Sequence, residues 1–163
     1  MAVTDELVEA NQQYAAQFDK GDLAVPPARK VAVVTCMDAR LIPSRFLGLE
    51  EGDAHVIRNA GGLAKDALRS IVISQRLLGT NEVAVIHHTD CGMLTFSNED
   101  VYAKCEQDLG ADASGIDFMP FPDLDQSVRD DVDFLKGSPL IPDEIPIRGF
   151  VYEVESGAIK EIS

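Results

Sequence analysis

Residues Val31-Ala32-Val33-Val34-Thr35-Cys36-Met37-Asp38-Ala39-Arg40 (VAVVTCMDAR) decide how the rest of the chain is read. Positions 31 to 36 form a nearly continuous run of small and β-branched side chains. Such side chains are stiff at χ1 and pack well on a pleated surface. A run without alternation belongs to a strand covered on both faces, as in a parallel sheet. The run stops at a thiol, and a carboxylate and a guanidinium follow at alternate positions. In extended chain, i and i+2 share a face, so Cys36, Asp38 and Arg40 are expected to point toward one site.

Similar short apolar runs lie downstream. His55 to Arg58 reads as a second strand and ends at Asn59-Ala60-Gly61-Gly62. Glu82 to His87 (EVAVIH) reads as a third and stops at His88-Thr89-Asp90-Cys91-Gly92. Between them the spacing predicts a helix over 64–78, with Leu68, Ile71, Val72, Gln75 and Leu78 along one side and Gly79 closing it. Ser97 with Asp100 resembles a capping box that opens a helix to Leu109, stopped by Gly110. Residues 111–122 read as irregular, and another helix spans about Asp123 to Lys136. A strand is expected from Ile147 to Val154, with Ser156-Gly157 turning it back into Ala158 to Ile162.

Upstream, residues 4–18 read as a helix with Thr4 as cap and Leu7, Ala10, Tyr14 and Phe18 at helical spacing. Gly21 and Pro26-Pro27 end it in a short stiff linker. A helix on such a linker packs either on another subunit or on its own domain. The alternation of strands and helices implies one α/β domain over residues 1–163, built around a mostly parallel sheet. Its parts would be an N-terminal helical arm, 1–25, and a core, 30–163. In such sheets functional groups collect beyond the carboxyl ends of strands. Both polar clusters sit there.

Composition narrows the function classes. A chain of 163 residues buries about 70% of its unfolded surface, enough for one core without disulfides. The net charge of −14 disfavours nucleic acid and anionic membranes as partners. Between Glu99 and Glu144 there are 13 acidic and 3 basic residues, which read as a solvated face because no Asp-x-Asp-x-Asp-Gly calcium loop is present. Three cysteines are too few and too odd for a disulfide framework, and they fit a reducing compartment. The N-terminus lacks the basic start and apolar core of a signal peptide, and no apolar run approaches a membrane span. A soluble, cytoplasmic protein is expected.

Cys36 lies 52 positions before His88, and Cys91 lies three after it. Two thiolates and one imidazole suit zinc, which takes soft sulfur and borderline nitrogen in tetrahedral geometry. Three protein ligands and an open position are the pattern of a catalytic site. Asp38 is the candidate fourth ligand. Arg40 beside it would hold the carboxylate ionised and oriented, so Asp38 either binds the metal or pairs with Arg40 and leaves the metal to a water. The metal set is therefore Cys36, Asp38, His88 and Cys91, with Asp38 and Arg40 also as the catalytic pair. Cys105 reads as a core thiol on an apolar helix face. His55 and His87 are weaker candidates for shuttling protons.

Cys36-x-Asp38-x-Arg40 followed by His88-x-x-Cys91-Gly92 resembles the β-class carbonic anhydrases. Arg58-Asn59-Ala60-Gly61 also resembles a segment of that family, and the similarity runs over roughly residues 30 to 96, with a family-like ending near Arg148-Gly149-Phe150-Val151. The short chain resembles the compact bacterial and archaeal branch. The resemblance implies a four-stranded parallel core sheet and an N-terminal helix reaching a partner subunit. It implies a homodimer or a multiple of dimers, with the site near the interface. It implies one zinc per subunit on Cys36, His88 and Cys91, and a zinc lyase that hydrates carbon dioxide reversibly to bicarbonate and a proton. Zinc hydroxide would be the nucleophile, with Arg40 orienting Asp38 and Asp38 accepting the hydroxide's hydrogen bond. If Asp38 toggles, activity should rise on the alkaline side. Two positions depart from the pattern. Glu50 stands where many members carry a substrate-holding glutamine, and His87 stands where a glycine is common. Rival readings are a zinc hydrolase of carbonyl sulfide or carbon disulfide, a non-catalytic zinc protein, and a redox thiol pair, which no Cys-x-x-Cys supports.

Overall fold

A computed structural model describes residues 2–163. Along the chain run α1 (Val3–Ala15), β1 (Val31–Cys36), α2 (Pro43–Phe46), β2 (Ala54–Asn59), α3 (Ala64–Leu78), β3 (Glu82–His88), α4 (Asn98–Leu109), α5 (Leu124–Lys136), β4 (Ile147–Tyr152) and β5 (Ile159–Glu161). Short 3₁₀ turns occupy Ala60–Gly62 and Gly92–Leu94. The strands form one sheet in the order β2-β1-β3-β4-β5. The first four are parallel, and β5 returns antiparallel on β4. The expected four-stranded parallel core with a C-terminal hairpin is the observed fold.

β1 is central, which explains its unbroken apolar run: Ala32, Val33, Val34, Thr35 and Cys36 are all buried. The register sets Val34 between Ile57 and Val85. Helices α3 and α5 pack on each other and on the sheet. α3 contributes Ala64, Ala67 and Ile71, and α5 contributes Val132 and Leu135, to one core with Val34, Val83, Val85 and Ile147, and Val128 of α5 is buried as well. The i, i+4, i+7 spacing of the α5 residues is the stripe a helix needs to bury one face. α3 ends where Gly79 adopts φ 77°, and α5 begins where Asp123 Oδ1 accepts the Gln126 N–H at 2.8 Å. α5 lies close on β4 because Gly149 has no side chain; a Cβ there would run into Val128 and Val132.

Two expectations change. α1 starts at an Ala2 cap rather than at Thr4 and stops at Ala15 rather than residue 18. All of α1 is exposed, including Leu7 and Tyr14. Cys105 is not in the core. α4 buries no residue fully and leaves Leu109 exposed, because α4 braces the irregular segment after it instead of the sheet. Tyr102 Oη donates to Ile116 O at 2.9 Å, and Asn98 bonds Asp117 and Phe118. Among the described residues no helix is long and apolar enough to cross a membrane.

One glycine sets the geometry at the top of the sheet. Gly62 has φ 70°, and a Cβ there would lie 2.7 Å from the Cys36 amide nitrogen and 2.7 Å from the Thr35 carbonyl carbon. The backbone of the turn after β2 therefore touches the backbone end of β1, and the left-handed conformation adds its own cost for any other residue. Gly62→Ala is expected to cost about 3 kcal/mol or more, read as a lowered midpoint in urea unfolding of the metal-free chain.

Candidate metal centre

Cys36 is the last residue of β1 and His88 the last of β3, and these strands are neighbours. After His88 the chain turns sharply through Asp90, at φ 54°, and brings Cys91 back to the strand end. Asp tolerates the left-handed conformation better than most residues. The turn is tied to β4 by the Thr89 N–H on Tyr152 O, 2.9 Å, and by the Val154 N–H on Thr89 Oγ1, 3.0 Å.

The ligand atoms of Cys36, His88 and Cys91 lie within 4.8 Å of one another, and all three residues are buried. His88 Nδ1 faces Thr89 O at 2.8 Å. A carbonyl only accepts, so Nδ1 carries the hydrogen and Nε2 presents a lone pair. Nε2 is buried and makes no hydrogen bond. Leaving such an atom unpaired costs about 1–3 kcal/mol. A cation between the imidazole and the two sulfurs removes that cost, and this donor set is one zinc accepts. The residues present fit the metal.

The two thiols share a proton unequally. The Cys91 hydrogen bond draws Cys36 well below the usual thiol range against the opposing effect of burial, and the N–H groups of Asp38 and Gly61 assist. The same bond from Cys36, together with burial, pushes Cys91 up. The pairing thus favours the thiolate form at Cys36 and the thiol at Cys91.

Asp38 and Arg40 meet, but not by strand alternation. β1 ends at Cys36, and residues 38–41 form a tight turn in which Leu41 N–H donates to Asp38 O and Arg40 N–H to Asp38 Oδ1. The strand stops there because Arg58, not β-ladder partners, takes the next carbonyls. Its Nε donates to Cys36 O at 2.9 Å and its Nη2 to Asp38 O at 2.7 Å. Arg40 grips Asp38 with two parallel bonds, Nε–Oδ1 3.0 Å and Nη2–Oδ2 2.8 Å. Its Nη1 donates to Asp90 Oδ2 at 2.7 Å. Asp38 Oδ2 stays 3.8 Å from His88 Nε2. Of the two positions open to Asp38, the structure holds the one paired with Arg40. Hydrogen bonds from Arg40 first, with burial opposing, keep the Asp38 carboxyl well below the usual carboxylate range. A lowered folded pKa means the pair stabilises the fold above the ordinary value of about 3.9, and this is lost only as pH falls below it. Asp38 stays ionised through the neutral range.

Cys36 and Cys91 line a cleft of about 490 Å³ together with Met37, Asp38, Gly61, Met93 and Phe96. Other candidates lie elsewhere. Glu50 is exposed, with Lys20 Nζ 3.9 Å away. His55 Nδ1 meets Ser74 Oγ at 2.7 Å on the far edge of the sheet. His87 is fully buried behind the site. Arg58 and Asp90 are site residues that sequence reasoning passed over. Both stood inside the quoted motifs, but neither spacing nor alternation marks a residue that holds backbone carbonyls or a second face of Arg40.

Residues 31–114 match the carbonic anhydrase family. The chain is 43% identical to β-carbonic anhydrase 1 of Mycobacterium tuberculosis, over 100% of this chain and 99% of that protein. It is 32% identical to a carbon disulfide hydrolase of Acidithiobacillus thiooxidans, over 93% of this chain and 85% of that one. The crystal structure of a carbonic anhydrase from Streptococcus mutans superposes with a TM-score of 0.95 at 46% identity, covering 100% of this chain and 99% of that one.

The unequal thiols give a direct test. In the metal-free chain one thiolate should already absorb at 240 nm at neutral pH, well below the ordinary thiol pKa of about 8.5. Absorbance that grows only in the alkaline range would contradict the pairing of Cys36 with Cys91.

Proposed function

Because the chain belongs to the β-class carbonic anhydrases, we propose that it catalyses the reversible hydration of carbon dioxide to bicarbonate and a proton. The observation that carries this reading is the buried Cys36–His88–Cys91 cluster with an Arg-held carboxylate beside it. Zinc on Cys36, His88 and Cys91, one per subunit, would act as a Lewis acid that brings the pKa of water to about 7 and so provides hydroxide at neutral pH.

The chain's own groups supply orientation. Asp38 is ionised and therefore only accepts hydrogen bonds. Its position beside His88 Nε2 lets it take the O–H of the attacking oxygen and aim that oxygen's lone pair at the substrate carbon. Arg40 holds Asp38 in place, and the Arg40–Asp90 bond anchors Arg40 to the turn that carries Cys91. Met37, Met93 and Phe96 offer an apolar wall to a small uncharged molecule and discourage bulk water. A three-ligand cluster with Asp38 turned away leaves a fourth position open, which supports a catalytic rather than a structural role.

A second reading, hydrolysis of carbon disulfide or carbonyl sulfide, draws support from the similarity to carbon disulfide hydrolases. Both are small linear molecules that the same carboxylate and cleft would serve. The higher identity to the β-carbonic anhydrase favours carbon dioxide. The free thiols support a reducing, cytoplasmic setting.

The assembly proposed is a homodimer or a multiple of dimers. α1 presents Val3, Leu7 and Tyr14, with Phe18 just beyond its end, as exposed apolar side chains. A shallow groove on the sheet, lined by Val31, Val33, Ala84, Phe150, Leu47 and Leu49, is apolar and open. Arm 1–25 of one copy laid on core 30–163 of another would bury both.

Stopped-flow carbon dioxide hydration by zinc-loaded protein should show turnover. Asp38→Ala should retain zinc and lose about 100-fold or more in kcat/KM; retained activity would remove Asp38 from the mechanism. Zinc-loaded protein that turns over only carbonyl sulfide or carbon disulfide would establish the second reading. Light scattering should give about twice the chain mass of 17.7 kDa or a multiple of that, and Leu7→Asp should lower the mass toward a single chain.

A further inference from the structure

His87 and Asp131 form a buried polar pair that the mechanism above does not use. His87 is fully buried in β3, and Asp131, on α5, is 7% exposed. Asp131 Oδ2 lies 2.9 Å from His87 Nε2 and accepts the Ala64 N–H at 2.9 Å. A carboxylate only accepts, so Nε2 carries a hydrogen. His87 Nδ1 meets Ser127 Oγ at 2.7 Å, and the ring stacks on Phe121 with centroids 5.4 Å apart. A buried histidine with both nitrogens engaged is ordinarily a packing residue. What distinguishes this one is where its partner's bonds lead.

One bond leads to β3 immediately before His88. The other leads to the first residue of α3, immediately after the turn that faces Cys36. The Ala64 N–H is one of the orphan donors at a helix start, and Asp131 satisfies it from another helix. The turn itself, Ala60–Gly62, packs its backbone on Cys36: a Cβ at Gly62 would lie 2.7 Å from the Cys36 amide nitrogen. It is held from its other end by Asn59, whose Oδ1 accepts the Leu63 N–H at 2.7 Å and whose Nδ2 donates to Leu63 O at 3.0 Å. Phe121 closes the arrangement: it lies under His87 and so near Gly61 that a Cβ there would be 3.1 Å from its ring. A single oxygen atom thus links the strand end that carries His88 to the turn that faces Cys36.

We propose that Asp131 is a positioning residue of the metal centre: through His87 and Ala64 it sets the spacing between His88 and the Cys36-facing turn. This rests on Cys36, His88 and Cys91 being metal ligands. Asp131→Leu is close in size and has no acceptor, so it breaks both bonds, whereas the amide oxygen of an asparagine could still accept from both donors. The probe is Co²⁺ loaded in place of zinc, read by its thiolate charge-transfer and visible bands and by its release to a chelator. Unfolding of the metal-free chain is measured separately.

Asp131→Leu should shift the cobalt bands and release the metal about tenfold faster, with kcat lowered and KM kept. Ser127→Ala, which frees the other side of His87 but keeps both Asp131 bonds, should leave bands and release unchanged. Natural release and bands in Asp131→Leu would overturn the proposal whatever happens to the melting midpoint. So would an equal effect in Ser127→Ala, which would mean a general loosening of α5. If Asp131→Leu does not fold, His87→Phe, which keeps a ring against Phe121 but has no donor for Asp131, breaks the link to β3 and carries the same expectation and the same refutation. Absence of thiolate–cobalt bands in the natural chain would instead refute the metal reading, and the positioning role with it.

Discussion

The parallel pairing of β1 with β3 is the constraint on which everything else at the site depends. Thr35 sits opposite Ile86, so the carboxyl ends of two strands 52 residues apart stand side by side. Cys36 and His88 then share one buried corner, and the turn after β3 needs only Asp90 in a left-handed conformation to return Cys91 to it. The Thr35 hydroxyl, donating to Ile86 O at 2.8 Å, adds a side-chain bond across the same two strands. A slip of one residue would turn Cys36 to the other face of the sheet, and the core packing of Val34 and Val85 forbids it.

Around that corner, Arg40 holds the Asp38 carboxylate 3.8 Å from His88 Nε2. Arg40 has two acidic partners, Asp38 and Asp90, and Arg58 spends its donors on backbone carbonyls. Bidentate geometry matters more here than net charge. A lysine at position 40 would keep the charge but could not grip both oxygens of Asp38 in a plane.

Much of this was open to reading in the primary structure, and the reasons differ by element. The strands at 31–36 and 82–88 announce themselves because central parallel strands are apolar on both faces. α3 and α5 carry strong caps and clean stripes, so their bounds fall where spacing places them. α1 and Cys105 were harder. Helical periodicity marks an apolar side but does not say what covers it, and here α1 has no buried residue while α4 turns its side toward a loop. Arg58 escaped notice as a site residue because its partners are carbonyl oxygens, which every residue possesses and no sequence pattern records.

By itself the sequence determined the chemistry available: two cysteines and a histidine at spacings that suit zinc, an acid and an arginine close enough to pair, and an α/β chain to carry them. Those follow from residue type and local periodicity, which are properties of short segments. Only the tertiary structure decided that Asp38 rests on Arg40 rather than among the metal ligands, and that a turn rather than an extended strand brings the two together. It also decided that His87 is tied to Asp131 and Ala64 behind the site instead of opening onto it. Such choices depend on which donors and acceptors meet across 20 to 70 residues of chain, and hydrogen-bond partners at that separation are set by packing, not by sequence spacing.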